Sequence, residues 1–243
     1  MKAMILAAGR GERMRPLTDD CPKPLLKVAG MPLIEHHIVK LAQAGITDIV
    51  INHAWLGDKI EEYLQDGSKW GVSIHYSRET QGALETAGGI IKALPLLVEK
   101  DEPNAPFLVV NGDVYTDFDF THIPLLPSDC LANIWLVANP EHNIKGDFLF
   151  AEEASELNKS NKVHNLTSEA NQHQQQQSFT FSGIALYRPE FFTAYTNENV
   201  LPLGPLLRET AENLELSGTI LKGQWTDVGT PERLNELNNT ISC

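Results

Sequence analysis

Long apolar runs are missing from this chain of 243 residues, and none approaches the ~20 residues needed to span a bilayer. The first apolar run, residues 3–8, is too short for a signal peptide and continues into glycines and arginines instead of a small-residue cleavage site. These absences predict a cytoplasmic protein that does not act in a membrane. The hydrophobic fraction of 42% is enough for a substantial core, and we predict a single domain over residues 1–243.

Cysteines and basic residues are also scarce. The three cysteines form no C-x-x-C pair and leave one thiol over, which argues against a disulfide scaffold and a zinc site and favours a reducing compartment. The 19 basic residues stand against 32 acidic ones, and the formal net charge of −13 excludes general nucleic-acid binding. The eight histidines show no metal-binding spacing such as H-E-x-x-H. The sequence does not specify an oligomeric state, and a monomer is compatible with it.

One stretch is basic against this acidic background. Residues 10–27 hold five basic and three acidic side chains, and they follow the first apolar run, which reads as a buried strand. Gly9 and Gly11 lie where that strand ends, and glycines there can bring backbone N–H groups close to an anion. The stretch therefore predicts a phosphate-binding loop, although it contains neither a Walker motif nor, at Met14, the third glycine of a dinucleotide loop. Considered alone, the glycines would favour an ordinary strand-to-helix turn.

Helix and strand patterns alternate after this loop. Pro32 opens a helix that ends at Gly45, residues 48–52 read as a strand, a shorter helix follows, and residues 72–76 alternate as a strand does. This order predicts an α/β fold with a Rossmann-like, mainly parallel sheet flanked by helices on both faces. Ligands of such sheets bind at the carboxyl ends of the strands.

A carboxylate follows the apolar run at residues 107–110, in the sequence Asn111-Gly112-Asp113. A tight hairpin turn is an equally good interpretation of this tripeptide, because all three residue types favour turns. However, a carboxylate at the end of a buried central strand points into the ligand crevice. Asp113 is therefore a candidate magnesium ligand.

Two later segments carry further signals. Thr230 as N-cap and Pro231 at the first helical position predict the start of a closing helix, which leaves the nearby Asp227 without a structural explanation. Between them and Asp113, residues 152–178 are acidic and then glutamine-rich, and such a polar run predicts a mobile insert or hairpin tip.

The motifs together resemble the sugar-1-phosphate nucleotidyltransferases. The matching motifs are L-A-A-G-x-G-x-R-M-x-P-L-T at 6–18, P-K-P-L at 22–25, N-G-D at 111–113 and W-x-D-V-G-T-P at 225–231. The resemblance covers nearly the whole chain outside 152–178. It implies a mixed, mainly parallel sheet and an enzyme that joins a nucleoside triphosphate to a sugar 1-phosphate and releases pyrophosphate.

The resemblance also implies roles for individual residues. Mg²⁺ would be the cofactor, held by Asp113 and Asp227, with Lys23, Arg13 and Asp113 as catalytic residues. Gly88 and Gly89, inside a predicted helix, indicate close approach of a ligand or a strand, and the resemblance favours a ligand. The nucleotide would contact Ala7, Ala8, Gly9, Arg10, Gly11, Gln81, Gly82 and Asn111, and the sugar would contact Glu85, Gly146, Asp147 and Gly183.

Within the family, the chain is most similar to members that use UTP and N-acetylmuramic acid 1-phosphate in peptidoglycan recycling. It lacks the Glu-Lys-Pro stretch of hexose-1-phosphate members and has Glu12 where many members carry a small residue. A mannose-1-phosphate guanylyltransferase or a glucose-1-phosphate thymidylyltransferase would share every catalytic residue and remains an alternative. A non-catalytic nucleotide-sugar sensor would be expected to lose Lys23, Asp113 or Asp227, and all three are present.

Overall fold

A nine-stranded sheet lies at the centre of the computed structural model, which describes residues 1–80, 82–150, 161–166, 177–195 and 200–241. The strands are β1 (Ala3–Leu6), β2 (Lys27–Val28), β3 (Met31–Pro32), β4 (Asp48–His53), β5 (Ser73–Arg78), β6 (Phe107–Asn111), β7 (Val114–Thr116), β8 (Ala132–Val137), β9 (Phe148–Phe150), β10 (His164–Asn165), β11 (Gln177–Tyr187), β12 (Leu216–Ile220) and β13 (Trp225–Asp227). The α-helices are α1 (Leu17–Asp20), α2 (Leu33–Gln43), α3 (Gly57–Leu64), α4 (Glu85–Leu97), α5 (Leu203–Glu212) and α6 (Pro231–Ile241).

The strand order of the sheet is β10, β9, β11, β6, β1, β4, β5, and β8 pairs with β11 and β12. Strand β1 is parallel to β4 and β6, and β5 is parallel to β4. Strand β11 runs antiparallel to both β6 and β8. The sheet is therefore mixed and mainly parallel, and its helices lie on both faces, which confirms the predicted fold class.

Side chains of the central strands alternate between two hydrophobic cores. Met4 packs in the core that includes side chains of α4 and α5, whereas Ala3 and Ile5 pack in the core that includes side chains of α2 and α3. Met4 and Ile5 are fully buried, and burying a side chain of this size stabilises the fold by about 1.5–3 kcal/mol. None of the helices in the described ranges is long and apolar enough to cross a membrane.

Strands β1, β4 and β6 end at the same edge of the sheet. Leu6 lies beside Asn52 on one side and Asn111 on the other, because these residues share one row of the parallel register. The carbonyl of Leu6 accepts a hydrogen bond from the amide of Gly112, and the amide of Ala7 donates one to Oδ1 of Asn52. Polar amide side chains thus flank the point where the glycine-rich stretch begins.

A two-stranded antiparallel ribbon, β7 with β13, lies beside this edge and pairs Asp227 with Val114. The amide of Val228 also donates a 2.9 Å hydrogen bond to the carbonyl of Asp113. Strand β6 does not pair with β7, so the alternative of a tight hairpin at Asn111-Gly112 is wrong. The ribbon brings the two predicted metal-binding aspartates together from positions far apart in the sequence.

Helix α6 begins at Pro231, as predicted, and Oγ1 of Thr230 accepts a 3.4 Å hydrogen bond from the amide of Arg233. Near its other end, Asn238 contacts the segment around the β2–β3 hairpin. Its Oδ1 accepts from the amide of Ala29 at 2.8 Å, and its Nδ2 donates to the carbonyl of Lys27 at 3.2 Å. The closing helix therefore fixes both β13 and the segment that follows the glycine-rich stretch.

Gly89 in α4 has a different reason from the favoured one, approach of a ligand. A Cβ at Gly89 would lie 2.7 Å from Nδ2 of Asn52 and 2.7 Å from Oε1 of Glu79. Glycine is needed because two side chains at strand ends pack against this face of the helix. The expectation that a ligand approaches here is therefore wrong for Gly89.

Part of the segment predicted as an insert, 152–178, packs on the sheet. Val163 is fully buried, β10 pairs with β9, and the side-chain amide of Asn165 donates to the carbonyl of Arg208 on α5 at 3.0 Å. The apolar Val163 and the polar partners of Asn165 hold residues 161–166 in place. The glutamine-rich residues 171–176, like 151–160 and 167–170, lie outside the described residues.

Candidate active site

The glycine-rich stretch after β1 forms a tight loop at the carboxyl edge of the sheet. Gly11 has a φ of +68°, and a Cβ at this position would lie 3.1 Å from Cγ2 of Thr18. The Gly11 carbonyl accepts hydrogen bonds from the Thr18 hydroxyl at 2.8 Å and from the Met14 amide at 2.9 Å. The left-handed backbone selects glycine, and contacts within the protein fix the shape of the loop.

A cleft opens beside this loop, and its larger part, the first lobe, has a volume of about 440 Å³. The loop, Lys23, Asn52, Glu79 and the start of α4 line the first lobe. Glu85, which was predicted to contact the sugar, also lies here. Gly82 lines neither part of the cleft, and Gln81 lies outside the described residues. The predicted nucleotide-binding residues that line the first lobe are Ala7, Ala8, Gly9, Arg10, Gly11 and Asn111.

The second lobe of the cleft, about 340 Å³, lies between β11 and the β7–β13 ribbon. Arg13, Asn111 and Asp113 border both lobes, so the junction between them carries one cation, one carboxylate and one amide. Of the four residues predicted to bind the sugar, Gly183 lines the second lobe. The other residues that line the second lobe are Val114, His142, Asn143, Thr180, Phe181, Ser182, Trp225 and Asp227.

Gly146 and Asp147 do not line the second lobe, contrary to the expected sugar contact. Oδ1 of Asp147 accepts a 3.0 Å hydrogen bond from Nδ2 of Asn143, and Oδ2 accepts a 2.9 Å hydrogen bond from the amide of Phe181. Because both donors belong to lining residues, Asp147 lies behind the wall of the second lobe and fixes its shape. Asn143 and Thr180, which the sequence did not single out, face the cleft instead.

Lys23 and Asp113 meet at the centre of the cleft. Nζ of Lys23 donates a 2.6 Å hydrogen bond to Oδ2 of Asp113, and the lysine side chain is only 10% exposed, against 39% for the aspartate. The buried stem of Lys23 is held by the 3-10 helix Lys23–Leu25 that follows Pro22. The ammonium group of Lys23, neutralised by Asp113, therefore lies where the two lobes join.

Asp227 has two partners that the sequence did not reveal. Its Oδ2 accepts a 2.8 Å hydrogen bond from Nη1 of Arg233, one turn into α6, and lies 3.3 Å from Nε2 of His142. Arg233 and His142 also contact each other, at 3.1 Å. The sequence held one signal for the contact with Arg233: Asp227 and Arg233 lie on either side of the helix cap at Thr230, close enough in sequence for their side chains to meet.

The donor set at the junction fits a hard divalent cation. Asp113 and Asp227 both border the second lobe, and Mg²⁺ is commonly held by one or two carboxylates together with substrate phosphates. Among the residues that the structure describes, no group of three or more His, Cys, Asp or Glu side chains is arranged to hold a metal ion. A cation here would therefore take the rest of its ligands from water and substrate.

A comparison with protein families decides what kind of chain this is. Residues 2–125, which include the loop, Lys23 and Asp113, match the family described as "Nucleotidyl transferase". The chain belongs to the nucleotidyl transferase family. Enzymes of this family generally use a divalent metal ion, and sugar-1-phosphate nucleotidyltransferases use a nucleoside triphosphate and a sugar 1-phosphate.

Relatives of this nucleotidyl transferase extend the match beyond residue 125. An N-acetylmuramate alpha-1-phosphate uridylyltransferase of Neisseria meningitidis is 52% identical, over 97% of this chain and 96% of the relative. A mannose-1-phosphate guanyltransferase of Gibberella zeae is 42% identical, but over only 49% of this chain and 32% of the relative. The crystal structure of a candidate glucose-1-phosphate thymidylyltransferase from Bacillus anthracis, with sucrose bound, shares the fold with a TM-score of 0.75 at 23% identity, covering 99% of this chain and 94% of that chain.

Arg10 of this nucleotidyl transferase lines the first lobe but has several partners within the protein. Its guanidinium lies 3.8 Å from the centre of the Trp55 ring, and it donates hydrogen bonds to the carbonyl of Thr18 at 2.7 Å and to Oδ1 of Asp19 at 3.1 Å. The hydrogen bonds from Arg10 and Arg15 hold the pKa of the Asp19 carboxyl below its ordinary value. Arg10 therefore stabilises the loop that borders the first lobe.

Asn52 and Glu79 form a buried link that sequence reasoning missed. Asn52 accepts from the Ala7 amide and donates a 2.7 Å hydrogen bond to Oε1 of Glu79, whose Oε2 accepts from the Leu84 amide at 2.8 Å. The link joins the glycine-rich loop to the start of α4. One signal existed: an apolar run that ends in asparagine occurs at residues 49–52 as well as at residues 108–111.

Proposed function

We propose that this nucleotidyl transferase joins UTP and N-acetylmuramic acid 1-phosphate to give UDP-N-acetylmuramic acid and pyrophosphate, in peptidoglycan recycling. The observation that carries the proposal is the 52% identity to the Neisseria uridylyltransferase along almost all of both chains, since that match includes both lobes. We further propose that the chain acts as a single domain in the cytoplasm, which agrees with its few cysteines.

The reaction needs charge neutralisation more than it needs a base. A phosphate monoester has a second pKa of about 6, so the sugar 1-phosphate is largely dianionic at neutral pH and is already a nucleophile. Its oxygen attacks the α-phosphorus of UTP, a new P–O bond forms, and the bond to the bridging oxygen of the β-phosphate breaks. The electron pair leaves with pyrophosphate. Positioning and electrostatics supply most of the catalysis in such transfers.

Lys23 and Arg13 are the cations that we assign to the reacting phosphates. Both line the first lobe, and Lys23 also lies 2.6 Å from Asp113 at the junction. Lys23 would bind oxygens near the α-phosphorus, where negative charge of two anions accumulates. Arg13 borders both lobes, so it would serve the leaving pyrophosphate or the acidic sugar. Gly9, Gly11 and Arg10 would hold the β- and γ-phosphates.

Asp113 and Asp227 would hold Mg²⁺, which would neutralise phosphate oxygens and help to align them. In the protein alone, these carboxylates are compensated by Lys23 and Arg233. The two cations keep the aspartates from repelling each other across the ribbon. Arg233 thus acts as a positioning residue for Asp227.

The remaining assignments follow from the two lobes. The nucleoside would lie in the first lobe, with its base near Ala83, which ends the predicted Gln81-Gly82 segment, and with Asn111 beside the phosphates. The sugar would lie in the second lobe against Gly183, Asn143 and Thr180. N-acetylmuramic acid carries a carboxylate, and Arg13 gives the second lobe a cation that could pair with it.

Two other functions are less well supported. The mannose-1-phosphate guanyltransferase match covers 49% of this chain and 32% of that relative, so it says little about the sugar. A glucose-1-phosphate thymidylyltransferase shares the fold at 23% identity. A non-catalytic sensor would not need Lys23, Asp113 and Asp227, yet all three border the cleft.

The test is pyrophosphate release with magnesium, using UTP, dTTP, GTP, CTP and ATP against the 1-phosphates of N-acetylmuramate, N-acetylglucosamine, glucose and mannose. We expect a strong preference for UTP with the muramic sugar. Preference for another pair of nucleotide and sugar would contradict the proposed substrates and leave the proposed mechanism unchanged. No release from folded protein that still binds nucleotide would favour the sensor.

A further inference from the structure

Glu85 adopts a backbone conformation that side chains disfavour. It is the first residue of α4, and its φ is +61°. A non-glycine residue in this region is strained, and such strain is concentrated at active sites and ligand clamps. Four other non-glycine residues of the described chain have positive φ, namely Ala29, Leu56, Gln65 and Leu214, and none of them lines either lobe.

The carboxylate of Glu85 has no partner among the residues that the structure describes. It is exposed, and among the described residues it makes no hydrogen bond or ion pair. Its neighbour Glu79 is the opposite case, because that carboxylate is buried and uses both oxygens to hold Asn52 and the Leu84 amide. Loop anchoring is therefore assigned to Glu79 and leaves Glu85 free for a ligand.

The position of Glu85 in the cleft indicates which group of the nucleotide lies next to it. Glu85 lines the first lobe and not the second, which separates it from the sugar. The phosphate end of the first lobe is marked by Gly11 and Lys23, and Ala83, where we place the base, lines the same lobe and precedes Glu85 by two residues. The group of a nucleotide that lies between its phosphates and its base is the ribose.

We propose that Glu85 accepts hydrogen bonds from the ribose hydroxyls and so selects ribonucleotides over 2′-deoxyribonucleotides. A carboxylate has acceptor oxygens for both hydroxyls of the vicinal diol, and dinucleotide-binding folds use an acidic residue on ribose in the same way. The proposal rests on the nucleotide use in the proposed function. It also gives a reason for dTTP to be a poor substrate that is independent of its base.

The test compares UTP with 2′-deoxy-UTP, in turnover and in binding measured by calorimetry without sugar. Hydrogen bonds to charged groups predict that wild-type protein prefers UTP by about 10- to 100-fold. In Glu85→Ala the ratio should fall close to one, because UTP loses the hydrogen bonds of both hydroxyls, whereas deoxy-UTP loses only that of its 3′-hydroxyl. Glu99→Gln, which removes an exposed charge just beyond the end of α4, is the matched control and should keep the wild-type ratio.

A glycine variant separates ribose recognition from backbone effects. Glu85→Gly and Glu85→Ala both lose the carboxylate, but only glycine accepts a φ of +61° without strain. We expect Glu85→Gly to melt about 2–4 °C above Glu85→Ala, while both lose the preference for UTP to the same extent. The loss of selectivity would then not follow the loss of stability.

The proposal is overturned if wild-type protein does not distinguish the two nucleotides or if Glu85→Ala keeps the wild-type ratio. It is also overturned if Glu85→Ala changes only the KM for the sugar. These outcomes differ from failure of the proposed function, which would appear as preference of wild-type protein for another base or sugar. In that case the same comparison is made between the preferred ribonucleotide and its 2′-deoxy form, and the same outcomes decide it.

Discussion

Lys23 and Asp113 are separated by 90 positions in the sequence, and their side chains form a 2.6 Å ion pair at the junction of two lobes. The pair is held by the 3-10 helix at one side and by the end of β6 at the other. A buried cation with one anionic partner can still bind phosphate oxygens, because an ammonium has three donors. Removal of the Lys23 ammonium should therefore weaken phosphate binding as well as break the ion pair with Asp113.

Lys23→Met should lower kcat/KM by about 100- to 1,000-fold, the range found when one electrostatic donor is removed from an active site. Methionine keeps the length of the buried stem, so the fold should survive. The measurement is steady-state pyrophosphate release with circular dichroism as a check of folding. Lys27→Met, an exposed lysine on β2, is the control and should retain activity. Equal activity of the two variants would contradict the role of Lys23.

Asp113→Asn and Asp227→Asn should each abolish turnover, because each removes a charged oxygen ligand from the proposed cation site. The variants are assayed across a magnesium titration up to saturation. Asp101→Asn is the control and should behave as wild type. Asp101 is exposed and precedes the start of β6, whereas Asp113 follows the end of that strand. Near-normal rates of either site variant at saturating magnesium would reject the metal pair.

Acid should destabilise the protein through His37. This residue is fully buried on α2, and burial lowers the pKa of His37 to about 4 from an ordinary value of 6.5. The unfolded chain then binds a proton that the folded chain rejects, so the stabilisation is complete above pH 6.5 and is lost as the pH falls towards 4. Between pH 7 and pH 5, we expect a loss of about 2 kcal/mol.

The measurement is urea unfolding at pH 7 and pH 5 in the presence of a chelator. His37→Leu should remove this part of the pH dependence, whereas His75→Gln, at an exposed position, should leave it intact. The same slope in wild type and His37→Leu would show that other groups cause the acid sensitivity.

Gln65→Gly should stabilise the fold. Gln65 follows α3 with a φ of 51° and a ψ of −131°, a combination that glycine tolerates far better than residues with a side chain. Its side chain is exposed, so little packing is lost. Relief of about 1 kcal/mol of strain predicts a rise of about 2–4 °C in Tm. Gln65→Ala keeps the strain, and an equal rise in that variant would refute the explanation.

Local signals in the sequence predicted the frame of the molecule well. The apolar run at 107–110 forms most of β6, and the run at 132–138 includes all of β8. The Thr230-Pro231 pair marks the start of α6. Caps and strand periodicity act over a few neighbouring residues, so local sequence reveals them. The family and the α/β fold followed from motifs that lie at these strand ends.

Contacts between distant segments could not be predicted in the same way. Nothing near Asp147 in sequence shows that its oxygens bind Asn143 and the Phe181 amide, 34 positions away, instead of facing the cleft. The packing of Val163 within a polar segment likewise depends on β9 and α5. The motif likewise indicated the neighbourhood of Glu85 but not that it lines the first lobe and not the second.

The two lobes come from different parts of the gene. Apart from Gly229, the first lobe is built from residues 6–113, and apart from its shared border the second is built from residues 114–227. Under the proposed function, recombination near residue 114 would exchange the sugar lobe in one step and would bring a new Asp227 and Gly229 with it. Chimaeras joined in β7 would take the glycine-rich loop, Lys23 and Asp113 from one parent and Asp227 with the sugar lobe from the other, so both parents must supply a matching half of the metal site.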